Sequence, residues 1–105
     1  MRPVRVRYRQ KASRDIDGVH DHIAEHDPAA ATRVVRRIRA GVDLLAEFPL
    51  LGHAGVALGS RELKLPGLPY VIVYRVLRTG KGIVIVGVFH AAEMHPGQAT
   101  PSDED

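Results

Sequence analysis

The chain opens on a strict alternation. Val4, Val6 and Tyr8 fall to one side and Arg5, Arg7 and Arg9 to the other, which predicts a strand over residues 3–9 with one buried and one wet face. The arginine side suits a strand at or near a sheet edge, where charge discourages pairing with another copy. The period then lengthens. Ile16, Val19 and Ile23 recur at helical spacing behind Ser13 as N-cap, with Asp15 and Asp17 in the first turn, so a helix is predicted as far as His26. Asp27-Pro28 restarts the pattern, with Asp as N-cap and Pro at the first helical position. Val35, Ile38, Val42 and Leu45 form the second stripe, Val34, Gly41 and Phe48 widen it, and Pro49 ends it. Almost nothing joins the two helices, so they should fold back as an antiparallel hairpin.

Leu50 to Ser60 contains Gly52, Gly55 and Gly59 and reads as a loop. Residues 61–65 read as a short strand, Pro66-Gly67-Leu68-Pro69 as a turn and residues 70–77 as a strand. A tight connection over residues 78–82 leads to a strand from Ile83 to Phe89, followed by His90. These last two strands are apolar on both faces, as expected of central strands covered on both sides or packed at an interface. The predicted fold is α+β: one strand, an antiparallel helix hairpin, then a three-stranded antiparallel meander, in one small sheet with helices on one face. Residues 1–96 should form one domain and residues 97–105 an acidic flexible tail.

Composition narrows the chemistry. With two Phe, three Tyr and no Trp, Val, Ile and Leu must fill the core. The absence of Cys excludes a disulfide framework and a thiolate zinc site. No apolar run approaches the ~18–20 residues of a membrane span. No secretory leader is legible at the N-terminus, so a cytoplasmic protein without a membrane partner is expected. Through residue 90, fifteen basic against eight acidic groups leave a formal charge of +7. A basic domain of this kind usually meets nucleic acid or an acidic protein.

Arg61 and Arg75 stand in otherwise apolar strands. If the three late strands are neighbours, Arg61, Arg75 and His90 converge near Glu62, and two guanidinium groups plus an imidazole make a usable phosphate site. The competing expectation is that the two arginines pair with Glu62 or Asp43 and orient the sheet. Arg33, Arg36, Arg37 and Arg39 crowd one side of the second helix. They are either a solvated face, with Arg39 and Asp43 paired at i, i+4, or a surface for an acidic partner, a target protein or nucleic acid. His22 and His26 share a helix face, but no third ligand is fixed by spacing, so no metal or cofactor is expected. An apolar sheet covered by two helices on one face leaves a groove for a partner or a second copy. Its expected lining is Leu63, Leu65, Val73 and Ile85, with Val35 and Ile38 from the second helix.

The ordered set Asp27-Pro28-Ala29-Ala30-Ala31, Leu44-Leu45-Ala46-Glu47-Phe48-Pro49, Arg61-Glu62-Leu63 and Pro69-Tyr70-Val71-Ile72-Val73-Tyr74-Arg75-Val76 resembles the RelE/ParE superfamily of type II toxin–antitoxin modules across residues 4–95. The resemblance implies a plasmid-stabilization toxin neutralised by a cognate antitoxin, alone as a homodimer or with it as a heterotetramer. RelE-like members cleave messenger RNA on the ribosome without metal, and ParE-like members inhibit DNA gyrase. The ribonuclease branch commonly has Arg where this chain has Val71, and many of its members have a His-Tyr pair ending the last strand or a late Tyr, whereas here Ala91 follows His90 and no Tyr follows Tyr74. The ParE-like branch is therefore the expected one, acting by protein–protein binding. Arg33, Arg36, Arg37 and Arg39 are its expected target surface. Arg61, Arg75 and His90 are the catalytic set under the RelE-like alternative.

Overall fold

A computed structural model describes residues 3–93. β1 (Arg5–Tyr8) leads into α1 (Gln10–Ala24) and α2 (Pro28–Glu47). Four strands follow: β2 (His53–Ala54), β3 (Arg61–Lys64), β4 (Tyr70–Val76) and β5 (Gly82–His90), with a short 3-10 turn over Ala91–Glu93. They form one five-stranded sheet in the order β1-β5-β4-β3-β2. β1 runs parallel to β5, and every other pair is antiparallel. The expected meander and the joining of the first strand to its sheet are both present. The expected acidic tail lies outside the described residues.

Several strand and helix ends shift by one or two residues, and three larger differences from expectation have a physical cause. α1 starts at Gln10 rather than behind Ser13, because β1 passes directly into the helix and the Ser13 N–H is already bonded to the Arg9 carbonyl at 3.2 Å. Arg9 occupies the N-cap without a side-chain cap, and Asp15 is spent elsewhere. β2 lies inside the segment expected to be a loop; two residues bordered by glycines carry no periodicity to read. Phe48 does not widen the α2 stripe but caps the helix with half its surface exposed. The start of α2 is as expected: Asp27 accepts from the Ala30 N–H at 3.0 Å, with Pro28 at the first position.

Both helices cover one face of the sheet. Ile16, Ile38, Val42 and Leu45 pack on Ile72, Tyr74, Ile83 and Ile85, all eight buried. Each such side chain contributes about 1.5–3 kcal/mol by leaving water. Gly41 lets α2 approach closely: a Cβ there would sit 2.9 Å from Leu65 Cδ2 and 3.0 Å from Ile72 Cδ1. On the other face Val71, Val73 and Val86 form a second, smaller cluster with Phe89 against it.

Candidate functional site

Alternation along the strands decides where the candidate residues point. Arg61 is the register partner of Tyr74, whose side chain lies among the helix-side core residues. Arg75, the next residue of β4, therefore points to the other face. His90 is the register partner of Tyr70, four residues from Tyr74, or about 13 Å along β4 at about 3.3 Å per residue. Arg61, Arg75 and His90 thus do not converge. Arg61 and Arg75 lie on opposite faces of the sheet, and His90 ends β5, level with the far end of β4.

Each of the three has local work instead. Arg61 Nη2 donates to the carbonyls of Leu50, at 3.0 Å, and Gly52. Beside it the buried Tyr74 hydroxyl donates to the Pro49 carbonyl at 2.7 Å and accepts from the Gly52 N–H at 2.9 Å. Together they pin residues 49–52 to the sheet. Arg61 Nε is buried without a partner among the described residues. Arg75 Nη1 donates to the Leu58 carbonyl at 2.9 Å, under Gly59, whose φ of 81° and lack of a Cβ permit that approach. The expected pairing of Arg61 and Arg75 with carboxylates is corrected: both bond backbone carbonyls. Glu62 points away from Arg61 and accepts from the Val56 N–H at 3.1 Å. His90 Nδ1 accepts from the Ala92 N–H at 3.1 Å, and its ring meets Tyr70 edge-on with centroids 5.7 Å apart.

Of the α2 arginines, Arg33, Arg36 and Arg37 line one groove of about 620 Å³ with Ala30, Val34, Ala40 and Leu68. Arg37 also donates to the Pro66 carbonyl and borders a second groove of about 390 Å³. That groove is walled by Ala40, Gly41, Leu44, Leu51, Leu63 and Leu65, so the two form a continuous apolar furrow beside α2 with a guanidinium rim. Arg39 lies apart, with its guanidinium carbon 5.7 Å from the centre of the Tyr8 ring. Burial pushes the Tyr8 phenol above its ordinary pKa, and Arg39 opposes that shift. Arg39 is not ion-paired to Asp43; among the described residues Lys11 and Asp15 form an ion pair, and His20 Nδ1 lies 3.2 Å from Asp21 Oδ1.

The six residues expected to line a partner groove are dispersed. Ile38 and Ile85 are wholly buried under the helices, Val35 packs against that core, and Val73 sits on the opposite face. Leu63 and Leu65 alone reach the α2 furrow. Apart from Leu77 beside the β4–β5 turn, the large apolar surface exposed among the described residues is Leu44, Phe48, Leu50, Leu51, Val56 and Leu58. It follows the end of α2 and the segment that Arg61, Tyr74 and Arg75 tether. The sequence signal for these was weak, since scattered leucines in a glycine-rich segment fit no periodic pattern.

The structure is thus a two-helix, five-strand α+β domain with a basic, apolar-floored furrow along its second helix. The chain belongs to the ParE toxin family of type II toxin–antitoxin systems, parDE, whose family model it matches over residues 6–95. It is 41% identical to the candidate toxin Y4kP of Sinorhizobium fredii over 92 residues, 88% of this chain and 93% of that protein. It is 35% identical to the toxin RelE2 of Caulobacter vibrioides over 85 residues, 80% of this chain and 91% of that one. In structure it resembles a chain of the chromosomal ParDE system of P. aeruginosa, with a TM-score of 0.72 and 27% identity over 83% of this chain and 95% of that chain. No described helix is long and apolar enough to cross a membrane.

Proposed function

We propose that this toxin inhibits DNA gyrase by protein–protein binding and is neutralised by a cognate antitoxin seated in the furrow along α2. The observation that carries this reading is the dispersal of Arg61, Arg75 and His90, with the furrow bordered by Arg33, Arg36 and Arg37. Metal-free RNA cleavage needs a base, an acid and a phosphate clamp within hydrogen-bond reach of one phosphodiester. Here the Arg61 and Arg75 guanidinium groups serve backbone carbonyls of residues 50–58, and His90 lies on β5 about 13 Å along the sheet from the level of the Arg61–Tyr74 pair. A furrow of alanines and leucines beneath guanidinium groups suits a polypeptide carrying apolar and acidic side chains along one face. The ParE family match and the structural likeness to a ParDE chain support the same direction.

The similarity to RelE2 favours a competing reading, a ribosome-dependent endoribonuclease. Induction in bacteria separates the two. Gyrase inhibition produces filamentation and DNA-damage signalling while full-length messenger RNA persists. Rapid loss of messenger RNA, abolished by His90→Ala, overturns the gyrase reading. The antitoxin site is tested by Leu44→Glu and Leu51→Glu, each expected to weaken antitoxin binding more than tenfold by placing a carboxylate in the apolar furrow.

A further inference from the structure

A second basic surface lies on the other side of the molecule, against the edge strand. Arg5 and Arg7 are exposed on β1, and Val6 and Tyr8 between them pack into the helix-side core. Both arginines therefore project from the opposite face, about 6.6–6.8 Å apart along the strand. The Arg5 N–H bonds the Lys81 carbonyl at 3.2 Å, which holds the start of β1 against the β4–β5 turn. That turn is itself closed by bonds from the Leu77 N–H to Gly82 and from the Gly80 N–H to Leu77, both at 2.8 Å. The Lys81 N–H donates to Thr79 Oγ1 at 3.2 Å. A groove of about 790 Å³ results along this edge, lined by Arg5, Arg7, Thr79 and Lys81 together with the apolar Val6, Leu77 and Ile83.

We propose that this edge binds the phosphate backbone of duplex DNA, without sequence preference. No carboxylate lines the groove, and among the described residues neither arginine nor Lys81 has an acidic partner. Two guanidinium groups in line, with an ammonium and a hydroxyl beside them, match successive phosphates of one strand. No aromatic side chain lines the groove, so nothing there stacks on an unpaired base, and a duplex is favoured over a single strand. The α2 furrow is lined mostly by apolar residues, and the edge groove has fewer of them, so the two surfaces suit different partners. The proposal does not depend on the gyrase reading.

The test is fluorescence anisotropy of a labelled 20-base-pair duplex of arbitrary sequence with the purified full chain, titrated across salt. Binding with a log–log salt slope of about −2 to −3, as release of counterions by two or three cations requires, is the expected result. Arg5→Gln and Arg7→Gln should each flatten the slope by about 0.9, and Arg14→Gln, on the exposed side of α1, should leave it unchanged. Thermal melts of each variant confirm that only charge has been removed. The proposal is overturned if Arg14→Gln flattens the slope as much as Arg7→Gln, showing attraction by net charge alone. It is equally overturned by tighter binding to a single strand of the same length, by equal competition from polyglutamate, or by no binding to the duplex. In the last case Arg5 and Arg7 only guard the edge against strand pairing.

Discussion

The Asp15 carboxylate of α1 accepts a hydrogen bond from the Val88 N–H of β5 at 3.0 Å, tying positions 73 residues apart. The register between β4 and β5 shifts after Val73, where Gly87 faces Val73 but Ile85 faces Tyr74. Val86 is thus the extra residue of a bulge, and Asp15 satisfies a donor just beyond it. Gly87 makes the approach possible, since a Cβ there would lie 2.9 Å from Asp15 Oδ2. Lys11 Nζ holds the same oxygen at 2.8 Å and lies 4.1 Å from the centre of the Phe89 ring.

Asp15→Ala should therefore lower unfolding free energy by about 1–3 kcal/mol, because a charged acceptor for a partly buried N–H is lost. Asp15→Asn keeps an acceptor and should cost less. Urea denaturation of both variants measures this, and equal midpoints for Asp15→Ala and the native chain would refute the role given to Asp15.

Gly18 offers the opposite sign. It lies within α1, exposed, with nothing within 4 Å of where a Cβ would stand. Gly18→Ala should stabilise the chain by about 0.5–1 kcal/mol through helix propensity alone. A raised melting temperature is the expected outcome, and a lowered one would show that the position is constrained by something other than helix formation.

Tyr74→Phe should cost about 1–3 kcal/mol and release residues 49–52, since the Gly52 N–H and the Pro49 carbonyl both lose their partner. Limited proteolysis should then cut within residues 49–60 faster than in the native chain. Arg61→Ala should accelerate the same cleavage by removing the two carbonyl contacts. A protease pattern unchanged in both variants would show that the segment is held by other means.

The fold was legible wherever side-chain periodicity reports one buried face. The arginine alternation of β1 and the apolar runs of β4 and β5 point to strands of the one sheet, and the Val35–Leu45 stripe points to the α2 helix packed on it. Legibility failed where a tertiary contact overrides local chemistry. Ser13 and Asp15 have the composition of a helix start, yet β1 feeds α1 directly and Asp15 turns to Val88. The candidate site was less legible still. Arg61 and Arg75 stand out as charged residues in apolar strands, but their separation depends on register and on the face each residue takes. Their carbonyl partners lie in the glycine-rich segment, whose course no sequence pattern specifies. The α2 furrow is half visible in the sequence: Arg33, Arg36 and Arg37 crowd one side of a legible helix, while its walls at Leu44 and Leu51 depend on β3 lying beside α2.

The most direct test of the central claim is a DNA supercoiling assay with purified gyrase and the purified toxin. Inhibition that is relieved by the cognate antitoxin and retained by Arg61→Lys and His90→Ala is the predicted result. Full supercoiling at toxin excess, together with cleavage of ribosome-bound messenger RNA that His90→Ala abolishes, would contradict it.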